Sequence, residues 1–288
     1  MNRPAFPLIV LAIVSPMAAI AAIQVTDDSG AQLTLQGPAG RIVSLAPGAT
    51  EMLFAAGAGD HVIATVEYSD VPAAAKRVPR IGDVVSVDIE RLVAAHPDVV
   101  VIWPGGGNAA ELEKVARLGI PLYRQEVSHV ADLPESIRRL GRLAGTSSVA
   151  ERNAQDLAGR IAGLSQGHAA RPRLTALLQV WNRPIYTVGG HQLMTDALRL
   201  CGVQNVFGDL QEPGPAIEVE AVLARNPDII IAAAPRGAAA GWLADWKRFP
   251  NLSAVRSGRL IAFEDERLSR LGPSLVDATE ALCRRLSP

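Results

Sequence analysis

The sequence predicts an α/β protein of two Rossmann-like lobes, each with a parallel sheet, joined by one long bridging helix. Three observations carry that reading. First, "DIERLVAAHPDVVVIW" at Asp88–Trp103 returns as "EVEAVLARNPDIIIAA" at Glu218–Ala233, with Glu90, Pro97 and Asp98 matched by Glu220, Pro227 and Asp228 at a constant offset of 130 residues. Second, each phrase ends in an unbroken apolar run rich in β-branched residues, "VVVI" or "IIIA". Continuous rather than alternating apolar residues belong to a strand covered on both faces, as in a parallel sheet. Third, "SSVAERNAQDLAGRIAGLSQG" separates the halves and reads as a single helix with no flexible linker beside it.

In chain order, residues 1–22 read as a cleaved secretory signal peptide. "MNRPAFPLIVLAIVSPMAAIAA" has a cation at Arg3, an apolar stretch from Phe6 to Ile20 and small residues at Ala19 and Ala21. The stretch is short for a membrane span and is broken by Pro7 and Pro16. No cysteine sits near the cleavage point to take a lipid, so a soluble, exported, periplasmic protein is expected. The N-terminal lobe is assigned to 23–145. "RIVSLAPGATEMLFAAGAG" reads as a strand over Ile42–Leu45, a loop, and a helix from Thr50 to Ala56 ended by Gly57. In the first repeated phrase, Ile89, Leu92 and Val93 have i, i+3, i+4 spacing, which predicts a short packed helix; Pro-Asp then ends it. "NAAELEKVARL" and "GIPLYRQ" follow as helix and strand. The bridging helix takes 146–168, with Ser147 or Ser148 as cap and Val149, Leu157, Ile161 and Leu164 as its apolar stripe. The C-terminal lobe, 169–288, opens on the strand "RLTALLQVW", and Val219, Val222 and Leu223 repeat the helical spacing of the first phrase.

The 288 residues carry a net charge of −1, which gives no basic footprint for nucleic acid. Cys201 and Cys283 are the only cysteines. In an exported chain an even pair is expected to bond, stapling the second lobe internally. His61, His96, His129, His168 and His191 lack paired metal-ligand spacing, so no bound metal is expected. "GPAGR" and "PGGGN" match neither nucleotide-binding spacing, and no nucleophile elbow, H-E-x-x-H or Cys–His pattern occurs. A non-enzymatic binder with its site between the lobes is therefore expected. The competing classes are an exported enzyme working in the cleft, such as a hydrolase or chelatase, and a structural or signalling ectodomain. Only the binder saturates without turnover.

Six segments, "RIVSLAPGATEMLFAAGAG", "YSDVPAAAKRVPRIGD", "DIERLVAAHPDVVVIWPGGGNA", "LRLCGVQNVF", "EVEAVLARNPDIII" and "ATEALCRRL", occur in an order that resembles the substrate-binding proteins of ABC importers for metal chelates. These are class III periplasmic binding proteins with a helical backbone, and the cobalamin (vitamin B12) binders are the nearest in pattern. The resemblance implies a monomer that carries cobalamin as a transported ligand, with no cofactor, to a permease dimer in the inner membrane. It implies that Glu90 and Glu220 dock on that permease; without it, acids in first helical turns would only complement the helix dipole. It also implies that Tyr68 and Trp103 are cleft aromatics, suited to the broad face of a corrin. Trp181 and Asn182 follow a strand of the second lobe, and Glu266 and Arg270 in "FEDERLSRLGPS" could bond the amide fringe of a corrin or haem carboxylates. Two expected tryptophans are replaced by Val84 and Gly214, which leaves haem and ferric siderophores as alternative ligands. "IGDVVS" lacks the tyrosine that haem binders of this class often carry there, which counts against haem.

Overall fold

The computed structural model describes residues 22–105, 109–168 and 174–286; the expected signal peptide therefore lies, apart from Ala22, outside the described residues, as does part of "PGGGN". The chain begins with a hairpin of β1 (Ile23–Thr26) and β2 (Gln32–Leu35), then β3 (Ile42–Ser44), α1 (Pro47–Ala55), β4 (Val62–Ala64), α2 (Ile89–Ala94), β5 (Val99–Ile102), α3 (Ala109–Arg117), β6 (Leu122–Arg124) and α4 (Leu133–Ala144). The bridging helix α5 spans Ser147–His168. The second half contains β7 (Leu174–Gln179), β8 (Ile185–Tyr186), α6 (Leu193–Leu200), β9 (Val203–Asn205), β10 (Ala216–Ile217), α7 (Val219–Arg225), β11 (Ile229–Ala233), α8 (Ala239–Trp246), α9 (Ser253–Arg256), β12 (Leu260–Phe263) and α10 (Ser274–Leu286).

Two four-stranded sheets result, β4-β3-β5-β6 and β9-β7-β11-β12, parallel throughout. Counted within its own lobe, each sheet has the strand order 2-1-3-4. The repeated phrase is therefore the same piece twice, the crossover helix α2 or α7 followed by the third strand β5 or β11. All four residues of β5 are buried, and so are the first four of β11. The repeated Asp latches the first strand of its lobe. Asp98 Oδ2 accepts from the amides of Gly40 and Arg41 at 2.9 Å each, and Asp228 Oδ2 accepts from the Thr175 amide and hydroxyl at 2.9 and 2.8 Å.

The expected helical faces need one correction. Leu92 and Val222 are buried, but Val93 and Leu223 are 44% and 37% exposed. Helices of six and seven residues press only a narrow line onto a sheet, so the third apolar position of each falls outside the contact. Helix α1 starts at Pro47 rather than Thr50, since proline suits the first turn. Gly57 ends it at φ +78°, and a Cβ there would meet Val149 at 2.7 Å, so the glycine also admits α5.

Helix α5 has 22 residues and begins at Ser147 itself. Thr146, rather than either serine, is its cap, because the Thr146 carbonyl accepts from the amides of Val149 and Ala150. Its buried stripe is Ala150, Ala154, Leu157 and Ile161. At its start it lies close against α4, where a Cβ on Gly141 would meet Ala150 Cβ at 2.2 Å. Ion pairs tie it to both halves. Glu151 accepts from Arg138 on α4 at 2.7 Å, and Arg160 reaches Asp277 and Glu280 on α10 at 2.5 and 2.9 Å. Cys201, at the end of α6, is bonded to Cys283 on α10, within the second half as expected. Among the described residues no helix is long and apolar enough to cross a membrane.

Candidate ligand-binding cleft

In a sheet of order 2-1-3-4 the crossovers leave the first and third strands in opposite directions, so a crevice opens at the carboxyl ends of those two strands. In this protein two such crevices face one another. Residues after β3 (Ala46, Pro47, Gly48) and after β5 (Trp103) meet those after β7 (Val180, Trp181) and at the end of β11 (Ala233, Ala234, Pro235) around one cavity of about 620 Å³. That volume is in the range of small-molecule sites.

All five residues expected to contact ligand, Tyr68, Trp103, Trp181, Glu266 and Arg270, line this cavity. Tyr68 is 74% exposed and Trp181 52%, each offering an open aromatic surface. Trp181 is braced edge-on by Trp242, with ring centroids 6.2 Å apart and planes at 65°. Tyr68 has φ +64°, a left-handed conformation that costs a side-chain-bearing residue on the order of 1 kcal/mol. Its carbonyl is held from the other half of the molecule by Arg270 Nη1 at 3.1 Å. Val84, where a tryptophan was expected, does stand in the cleft wall, whereas Gly214 is not among its lining residues. Asn182 also stays out of the wall; its amide donates to Asp245 at 3.2 Å and its oxygen accepts from Gln179 at 2.9 Å.

Sequence reasoning missed two residues of this region. Glu51 of α1 is 4% exposed and accepts from the amide and hydroxyl of Ser274, at the start of α10. Burial raises its pKa, opposed by the Ser274 bonds and the charge of Arg270. Around this contact the halves meet backbone to backbone. A Cβ on Gly48 would lie 2.7 Å from the Leu271 carbonyl, and one on Gly272 would strike the Glu51 carboxyl. The only signal was an acid inside an apolar helical run. The second missed residue is Gln125, which lines the cleft just after β6.

Glu90 and Glu220 lie away from the cavity lining, both exposed in first turns of the crossover helices. A crossover helix runs antiparallel to its strands, so its first turn lies on the side where the strands end, the side of the cleft. Neither carboxylate has a hydrogen bond or ion-pair partner among the described residues. On each helix the residue three positions on, sharing its face, is the exposed Val93 or Leu223.

The profile of the family described as "Periplasmic binding protein" matches residues 42–266. The chain belongs to that family. A vitamin B12-binding protein of Vibrio parahaemolyticus is 30% identical over 246 residues, covering 85% of this chain and 89% of that protein. The solved structure of a periplasmic vitamin B12-binding protein of Vibrio cholerae superposes with a TM-score of 0.78 at 31% identity, covering 86% of this chain and 97% of that one. A periplasmic haem-binding protein from a Roseiflexus species shares the fold, with a TM-score of 0.70 at 23% identity over 85% of this chain and 96% of its own. The two-lobed α/β architecture with its bridging helix is the fold of this periplasmic binding protein family.

Proposed function

We propose that this periplasmic binding protein carries a corrinoid, cobalamin, to an ABC importer, without catalysing a reaction on it. The cleft carries the proposal. It has an apolar floor of Ala46, Pro47, Ala233 and Pro235, aromatic surfaces at Tyr68, Trp103 and Trp181, and a charged rim at Glu266 and Arg270. A broad disc with a polar fringe fits such a site. The vitamin B12-binding relatives at about 30% identity support the same ligand. Residues 1–22 are the export signal, and the mature protein acts as a monomer in the periplasm.

Glu90 and Glu220 are the docking carboxylates, one per lobe, for the two subunits of a twofold permease. Two unpartnered carboxylates at equivalent places, each beside an exposed apolar residue, support that role. Reversing both to Arg leaves cobalamin binding unchanged and abolishes uptake, since each loss at an interfacial arginine costs on the order of 2–5 kcal/mol.

The deciding experiment is titration of the mature protein with cyanocobalamin, followed by Trp fluorescence or heat. Saturable one-to-one binding without chemical change of the ligand is expected. Absence of binding at micromolar ligand, with clear binding of haem or a ferric siderophore instead, would move the chain to another ligand of the same family.

A further inference from the structure

Gln125 is 1% exposed, and its Nε2 has no hydrogen-bond partner among the described residues. Its backbone is fixed, with the amide donating to the Ile102 carbonyl at 2.8 Å, directly before Trp103. The N-terminal lobe's share of the cleft wall is otherwise apolar apart from the Tyr68 hydroxyl and the Trp103 indole N–H, being Ala46, Pro47, Gly48, Ala49, Val84 and Trp103. A buried amide without a partner is costly, and such groups in native proteins are normally satisfied. Gln125 lines a ligand cavity, where a turn of its terminal amide would bring the solvent-shielded Nε2 to the open side.

On the opposite wall the polar groups are of mixed kind. Arg270 donates, while the carboxylate of the exposed Glu266, which has no partner among the described residues, can only accept while ionised. Haem bears ionised propionates along a single edge. Turned toward Arg270, they meet the Glu266 carboxylate as well and leave an apolar edge against Gln125. Turned toward Gln125, they leave Arg270 and Glu266 unmatched. A corrin carries neutral amide side chains around its whole rim. Each amide both accepts and donates, so one edge can take the Gln125 N–H while another accepts from Arg270 and donates to Glu266.

From this two-walled arrangement we infer that Gln125 is a specificity-determining residue, which donates to a ligand amide carbonyl and selects amide-fringed corrinoids over carboxylate-bearing porphyrins. The inference rests on the corrinoid reading. A site built to hydrogen-bond its ligand rejects one lacking the matching group because its own buried group is left unpaired.

The test uses the mature protein with Gln125→Leu, which keeps the size and removes the donor, and Gln125→Glu, which keeps the shape and replaces the NH2 by an acceptor. Each is titrated with cyanocobalamin and with haemin, and the ligand-free Tm is measured. Both variants are expected to bind cyanocobalamin about tenfold more weakly, the scale of one hydrogen bond. Gln125→Leu should hold or gain haemin affinity, and its ligand-free Tm should be equal or higher, since an unmet buried amide is gone. Unchanged cyanocobalamin affinity in both variants overturns the inference while leaving the corrinoid reading intact. A lower ligand-free Tm in Gln125→Leu overturns it too, because the amide then has a structural role. If wild-type protein binds no cyanocobalamin, the corrinoid reading falls and the inference with it.

Discussion

The two lobes share one strand order and one repeated phrase, yet they supply different chemistry to the cleft. The N-terminal lobe gives a mainly apolar, uncharged wall, with Ala46, Pro47, Val84 and Trp103. The C-terminal lobe gives the charges, Asp265, Glu266 and Arg270, from the turn after β12. The means of closing each lobe also differ. A β1–β2 hairpin lies on the first, where the Asp28 carboxyl beside it accepts from Ser136 and Tyr123 at 2.8 and 3.3 Å. The second has the Cys201–Cys283 bond between α6 and α10. The shared part is what the backbone needs, and the divergent part sits in loops at strand ends, where substitution leaves the sheets untouched.

The largest expected effect breaks that asymmetry. Cys201→Ser with Cys283→Ser opens a loop with a sequence separation of 82 residues, nominally worth about 4–5 kcal/mol by the chain-entropy model. Denaturant unfolding followed at the second-lobe tryptophans Trp242 and Trp246 should report the loss first. Equal destabilisation throughout would mean that the halves unfold as one unit. Next, Trp103→Ala removes the aromatic part of the apolar wall and should weaken cyanocobalamin binding by about 1–3 kcal/mol. Arg270→Ala removes the bond to the Tyr68 carbonyl as well as a rim cation, and should cost about 1 kcal/mol in ligand-free stability. Proteolysis near Tyr68 should quicken with it; no change in either measure would show that Tyr68 holds its left-handed backbone unaided.

How far the sequence reached follows from which forces are local. Buried strands announce themselves through runs such as Val99–Ile102, and the repeat fixed the lobes as equivalent before any topology was known. The cleft aromatics were legible because Trp103 and Trp181 each follow such a strand. The hairpin over Ile23–Leu35 was not read out, since four-residue strands beside an apolar N-terminal stretch give little alternation. Glu51 and Gln125 were missed because their meaning depends on groups far along the chain, Ser274 for one and the opposite cleft wall for the other. Val93 and Leu223 fit a packed pattern, and only the shortness of their helices turns them to solvent.

The smallest effect concerns Glu51. Burial raises its carboxyl pKa above the ordinary value of 4.5, so the folded protein binds this proton more tightly than the unfolded chain does. Its contribution to stability therefore grows as pH falls from neutral through the raised value and levels off below 4.5. Against Glu51→Gln, which has no such titration, wild-type Tm should gain steadily between pH 7 and 4.5. A constant difference over that window would show that the carboxyl titrates alike in both states.

The seam between Glu51 and Ser274, with Gly48 and Gly272 pressed against the facing half, also governs what a transporter can sense. With the halves welded there and strutted by α5, loaded and empty receptors are expected to present nearly the same outline. A permease that feels only that outline will seat both equally well. Discrimination then falls to the cargo's own surface in the open mouth of the cleft, and unloaded receptors compete with loaded ones for every docking place. Import should thus saturate, and then decline, as receptor is overproduced at a fixed supply of vitamin.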